Sequence, residues 1–251
     1  MLIIGNWKMY PETIKDARAK FVSIKKVASA LRNVQTVICP PVVFAGDLQK
    51  LVSGHRCVLG AQNAWTDPEG AYTGEVSPTM LESSGLKYVI IGHSERRAMG
   101  ETDELVNRKT LAAVKAGLKV VLCVGERERD PDGEYLKLIA AQLRAGLKNI
   151  QKKDLSHVVI AYEPIWAIGK NALRAATPED ALEVSISIKK TLADLYGATA
   201  SEALVLYGGS VDAKNSREFL LKSQVSGLLV GRASLDVGVF ISILKNADEI
   251  K

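Results

Sequence analysis

Apolar residues in this chain fall into short, nearly unbroken runs rather than an alternating pattern. The runs are Leu2–Ile4, Val34–Cys39, Val58–Ala61, Tyr88–Ile91, Lys119–Val124, Val158–Tyr162, Leu204–Tyr207 and Gly227–Val230. Continuous, β-branched runs of this length predict strands buried on both faces, as in a parallel sheet covered by helices. They recur roughly every thirty residues, and helical periodicity fills most of the stretches between them. The clearest case is Ala181, Val184, Ile188, Leu192 and Leu195, which step by three and four into one buried stripe. Thr177 is placed to cap the first free amides and Pro178 suits the first turn. Glu179 and Asp180 favour the helix dipole, and Gly197 predicts a left-handed stop. Leu105–Gly117 reads the same way, with its glycine just ahead of the next strand.

About eight strand–helix units in 251 residues predict the α/β class, as a single closed (β/α)8 barrel domain of parallel strands over residues 1–251. The competing architecture, an open doubly wound sheet, normally carries a glycine-rich turn after its first strand. Here that turn is Asn6-Trp7-Lys8, and no Gly/Ser-rich or charge-rich linker divides the chain.

Composition narrows the function classes. The chain is 47% hydrophobic and 24% charged, an ordinary globular balance. Its formal charge of +5 comes from isolated pairs such as Lys25-Lys26 and Lys152-Lys153, with acidic residues scattered among them. No aromatic cluster sits between basic residues, so a solvated surface is expected and no nucleic-acid partner. A mildly positive field suits a small anionic substrate. Cys39, Cys57 and Cys123 are odd in number and lack metal-ligand spacing, which predicts reduced, mostly buried thiols. The apolar start is cut short by Gly5-Asn6-Trp7-Lys8 without a basic leader or cleavage site, and no run nears the ~20 residues of a membrane span. The expected location is the cytoplasm, with no membrane partner.

Barrel enzymes gather their chemistry at the C-terminal ends of the strands. The residues just past the runs are Asn6 and Lys8, Gln62 and Asn63, His93-Ser94-Glu95, Gly125-Glu126, Glu163, Gly209-Ser210 and Gly231-Arg232. They include no His/Cys/carboxylate cluster suited to a metal and no nucleophile elbow. Proton transfer on a bound anion fits this inventory best. Glu163, fixed by Pro164 at the mouth of an apolar strand, either acts as a base of raised basicity or closes an ion pair with a neighbouring Lys or Arg. His93 precedes a helical turn whose positive end keeps an imidazole neutral, so it is a hydrogen-bond donor to a carbonyl or an ordinary packed histidine. Lys8 either stabilises charge on a substrate oxygen or is a solvated lysine. Gly208-Gly209-Ser210 and Gly231 either aim backbone N–H groups at a phosphate or make two tight turns.

Taken together, the motifs are specific. Asn6-Trp7-Lys8, Gly60-Ala61-Gln62-Asn63, Tyr72-Thr73-Gly74-Glu75-Val76-Ser77, Gly92-His93-Ser94-Glu95-Arg96-Arg97, the stretch from Ala161-Tyr162-Glu163-Pro164 to Gly169, and Tyr207-Gly208-Gly209-Ser210-Val211 resemble triosephosphate isomerases. The match runs in order from Met1 nearly to the C-terminus. The resemblance implies a TIM barrel that interconverts dihydroxyacetone phosphate and D-glyceraldehyde 3-phosphate in glycolysis and gluconeogenesis, with no metal and no cofactor. It implies Glu163 as the base, neutral His93 as the electrophile, and Asn6 and Lys8 as groups that bind and stabilise developing charge. Gly169, Ser210, Gly231 and the backbone of Arg232 would hold the phosphate. Glu95 and Ser94 would support the acting groups from behind, Glu95 by ordering Lys8. Pro164, Ile165, Trp166, Ala167 and Ile168 would form the lid, reaching to about Ala172. A homodimer is implied, with Thr73, Gly74 and Glu75 inserted beside the partner's site.

Two positions depart from the family pattern. Where the lid usually continues Gly-Thr-Gly-Lys, this chain reads Gly169-Lys170-Asn171-Ala172-Leu173-Arg174, a longer second hinge without its second glycine. Arg232 stands where the family most often has glycine. The remaining alternatives are a barrel aldolase using a lysine Schiff base, or a catalytically silent phosphosugar-binding or adhesion protein. An aldolase would need a lysine on a central strand, whereas Lys8 sits at a strand end.

Overall fold

Strands with two apolar faces need cover on both, and closure into a barrel supplies it. The computed structural model describes residues 1–169, 172 and 174–250. Its strands are β1 (Leu2–Asn6), β2 (Gln35–Cys39), β3 (Cys57–Ala61), β4 (Tyr88–Ile91), β5 (Lys119–Val124), β6 (Val158–Tyr162), β7 (Val205–Tyr207) and β8 (Gly227–Val230). All pair in parallel in sequence order, and β1 pairs with β8 to close the barrel. The α-helices among the described residues are α1 (Ile14–Ala28), α2 (Val42–Gln49), α3 (Pro78–Ser83), α4 (Ser94–Ala98), α5 (Asp103–Lys115), α6 (Glu134–Gly146), α7 (Pro178–Tyr196), α8 (Ser216–Lys222) and α9 (Val237–Asp248). None is long and apolar enough to cross a membrane.

Side-chain direction follows strand parity. Leu2, Ile4, Val37, Cys39, Tyr88, Ile90, Val121, Cys123, Val159, Ala161, Leu206 and Leu229 fill the interior. Their neighbours Ile3, Ile38, Val89, Ile91, Leu122, Ile160, Tyr162 and Tyr207 face the helices. Each expected run is present, with starts shifted by one residue at β2, β3 and β7. The three cysteines are free and buried.

Helix α7 begins as its sequence predicts. Thr177 Oγ1 accepts the Asp180 amide and the Asp180 carboxylate accepts the Thr177 amide, a reciprocal cap. Two details differ. Leu195 is 37% exposed, because the buried stripe ends at Leu192. Gly197 has a positive φ of 90° but ψ of 168°, so the chain leaves α7 extended rather than through a left-handed helical stop.

Candidate active site

Strand parity also aims the candidate residues. Residues 2, 4 and 6 of β1 point inward, and Asn6 ends the strand with only 5% of its surface exposed. Its Oδ1 accepts the Lys8 amide at 3.0 Å, which holds Lys8 in an unusual positive φ of 52°. Gln62 Nε2 pins the same turn by donating to the Lys8 and Cys39 carbonyls. Lys8 Nζ is thereby brought 2.5 Å from Glu95 Oε1.

At the end of β4 the chain must turn sharply into α4. Gly92 makes that turn at φ 71°, a conformation that side chains disfavour. His93 then becomes the N-cap of α4, and its Nδ1 accepts the Glu95 amide at 3.2 Å. A ring nitrogen that accepts carries no proton, so the neutral ring holds its proton on Nε2. That nitrogen lies 2.9 Å from Glu163 Oε1. Glu163 extends the inward parity of Val159 and Ala161, is 2% exposed, and accepts the Ser94 amide on Oε2 at 2.8 Å. Gly208 flanks it; a Cβ there would lie 3.2 Å from Glu163 Cγ and 3.1 Å from the Tyr162 carbonyl, so a larger residue would crowd the carboxylate-bearing side chain.

These contacts set the electrostatics. Burial pushes the Glu163 carboxyl upward, but His93, the Ser94 amide and Lys8 outweigh it and hold the group below its ordinary value. For His93, burial pulls downward, and the facing Glu163 carboxylate outweighs it, raising the pKa above the ordinary imidazole value. That rise depends on Glu163 remaining on Nε2. Without it, burial, Lys8, the α4 N-terminus and the amide on Nδ1 act downward, and Glu95 alone acts upward.

One cavity of about 630 Å³, within the range of small-molecule sites, joins these groups to the phosphate-site candidates. Asn6, Lys8, His93, Ser94, Glu163, Gly169, Ser210, Gly231 and Arg232 all line it. Ser210 Oγ donates to the Ala167 carbonyl at 3.1 Å, so in this conformation its hydroxyl serves the 164–168 segment. Arg232 follows Gly231 into a short 3-10 turn (Arg232–Leu235). Thr73, Gly74 and Glu75 lie on an exposed loop. Gly74 and Glu75 border a separate cavity of about 390 Å³ that Lys8, His93 and Glu95 also line. The hinge residues Lys170, Asn171 and Leu173 lie outside the described residues.

The segment after Glu163 makes a 3-10 turn, Ile165–Ala167, with Trp166 buried. Sequence reading assigned no role to the residues that hold it. Glu126, fully buried after β5, accepts on Oε1 from Trp166 Nε1 (2.7 Å), Tyr162 Oη (2.8 Å) and Arg129 Nε (3.2 Å). Burial pushes its pKa up against these donors. Its signal was its position, one strand away from Glu163 at the same rim. A second missed cluster lies behind α4, where the buried Lys109 Nζ reaches Glu101 and Asn63, and Arg96 also reaches Glu101.

Residues 1–247 match the family model described as triosephosphate isomerase. Similar curated proteins named triosephosphate isomerase include one from Fusobacterium nucleatum subsp. nucleatum, 40% identical over 98% of each chain. Another, from Chloroflexus aurantiacus, is 43% identical over 97% of each chain. A third, from Thermoanaerobacter sp., is 42% identical over 97% of this chain and 98% of its own.

Proposed function

Because the chain belongs to the triosephosphate isomerase family and is an isomerase of that type, we propose that it interconverts dihydroxyacetone phosphate and D-glyceraldehyde 3-phosphate through an enediolate, with Glu163 as base and neutral His93 as electrophile. The observation that carries this reading is the Nε2 hydrogen of His93 aimed at a carboxylate at the base of the cavity. A substrate carbonyl that takes that hydrogen displaces Glu163 from it. The freed carboxylate then lies beside the carbons to be deprotonated.

Glu163 takes a proton from C1 of the ketose, and the carbonyl oxygen at C2 becomes an oxyanion. The His93 Nε2–H and the Lys8 ammonium stabilise that charge, and Asn6 positions Lys8. Returning the proton to C2 while the O1 hydroxyl proton moves to O2 yields the aldose, so every atom balances without a metal or organic cofactor. Glu95 holds the Lys8 ammonium at the rim, and the Ser94 amide parks Glu163 between turnovers.

Gly169, Ser210, Gly231 and the Arg232 backbone supply the phosphate contacts. Residues 164–168 act as the lid, excluding water from the enediolate and so suppressing loss of phosphate. The working unit is a homodimer. Met9, Val42 and Met99, all more than half exposed, line the cavity beside Gly74 and Glu75, where a partner's Thr73–Glu75 loop would bury them. The cytoplasm is the proposed location and glycolysis and gluconeogenesis the proposed setting, consistent with free buried thiols.

The test is a coupled assay of purified protein with D-glyceraldehyde 3-phosphate in deuterated water. Formation of the ketose with deuterium at carbon supports the reading; binding without exchange refutes it.

A further inference from the structure

The 164–168 segment separates two voids. Ile168 and Gly169 line the cavity that holds Glu163 and His93. Ile165, Trp166 and Ile168 line a second cleft on the other side, with Arg97, Tyr135 and Gln142. The segment therefore has room on either side; Ser210 Oγ on the Ala167 carbonyl and the Ile165 amide on the Glu126 carbonyl tether its backbone, and the indole of Trp166 is the side chain that anchors it.

That indole is held at its edge and over its ring. Its Nε1 donates to Glu126 at 2.7 Å. The guanidinium of Arg129 lies over the ring at 5.2 Å and that of Arg174 at 4.5 Å. Arg174 is itself held in a fixed plane: Nη1 and Nη2 donate to the Asp180 carboxylate at 2.6 and 2.9 Å, and Nη1 also reaches the Ala175 carbonyl at 3.0 Å. Asp180 is 11% exposed at its side chain and anchored by the reciprocal cap of α7; it also receives Arg129 at 2.9 Å. A planar, bidentate guanidinium with an aromatic face beneath it is geometry that lysine cannot reproduce.

We propose that Arg174, in the stretch where this chain departs from its family, is a positioning residue that clasps Trp166 to the capped start of α7 and holds the lid off the substrate cavity. The proposal rests on the isomerase reading for what the lid covers. Movement of residues 164–168 towards phosphate has to release the indole, so the clasp opposes closure. The side chain is 52% exposed, which limits the effect to about three- to tenfold.

The test uses full-length protein carrying 5-fluorotryptophan, whose three resonances belong to Trp7, Trp65 and Trp166, with Trp166→Phe for assignment. In Arg174→Ala the Trp166 resonance should move while those of Trp7 and Trp65 stay, which reports an intact fold. The inorganic phosphate concentration that shifts Trp166 to its bound position should fall about three- to tenfold. The KM for glyceraldehyde 3-phosphate should fall with it while kcat does not rise. Arg174→Lys should recover less than half of either change. An unmoved Trp166 resonance, an unchanged phosphate midpoint, or full recovery with lysine overturns the clasp. The resonance requires no turnover. A wild type that shows the Trp166 response but no isomerisation therefore rejects the isomerase reading and leaves the clasp standing.

Discussion

Nε2 of His93 faces Oε1 of Glu163 at 2.9 Å, while Nδ1 on the far side of the ring accepts the Glu95 amide. One imidazole thus has its proton fixed on the side where the proposed chemistry occurs, and its partner carboxylate sits where the proposed substrate oxygen would go.

This arrangement predicts a pKa that depends on its partner. With Glu163 facing it, His93 titrates above the ordinary imidazole value. Removing the negative charge in Glu163→Gln leaves burial, Lys8 and the α4 N-terminus acting downward, opposed only by Glu95, whose carboxylate lies 3.8 Å from Nδ1. Nitrogen-15 NMR titration of His93 should therefore show a pKa above the ordinary value in the free wild type and below it in Glu163→Gln. A value that does not fall in the variant contradicts the assignment of cause.

Lys8 carries the only side-chain ammonium lining the cavity, among the described residues. Lys8→Met should lower kcat/KM by at least about 10²-fold, the loss typical of one oxyanion donor. Glu95→Gln keeps the shape but removes the charge that orders Nζ at 2.5 Å, so its loss should be smaller and its KM affected less than its kcat. Steady-state kinetics on both variants decides; near-wild-type activity in Lys8→Met removes it from the charge-stabilising role.

Lys109 has no exposed surface and Glu101 is 5% exposed at its side chain. Lys109→Met leaves Asn63 Oδ1 without its donor and Glu101 buried with Arg96 as its remaining cation. A stability loss of about 3 kcal/mol is expected from breaking a buried pair, read from the urea midpoint at fixed protein concentration. A shift below the error of the measurement would mean the pair is replaceable by apolar packing.

The exposed Met9, Val42 and Met99 make the dimer testable as well. Met99→Glu adds charge to a face proposed to be covered, and sedimentation should show the mass halving at micromolar concentration with activity falling alongside. A variant dimer of wild-type mass places the interface elsewhere.

Much of the fold was legible in the sequence because a doubly buried parallel strand has no polar alternation to conceal it. The rim residues followed too: reading just past the runs that end at Ile4 and Tyr162 gave Asn6, Lys8 and Glu163, which line one cavity. Leu195 misled because an apolar residue in helical register stays exposed where no neighbour covers the last turn. The roles of Glu126 and Arg174 were not legible, because their meaning comes from Trp166, Tyr162 and Asp180, which only the barrel brings together. Lys109 likewise looks solvated until Glu101 and Asn63 enclose it.

Proton abstraction by Glu163 is tested most directly by the rate at which solvent deuterium enters carbon in dihydroxyacetone phosphate, compared between wild type and Glu163→Gln. The variant should bind inorganic phosphate about as tightly as wild type and exchange several orders of magnitude more slowly. Exchange within about tenfold of wild type would mean that another group removes the proton.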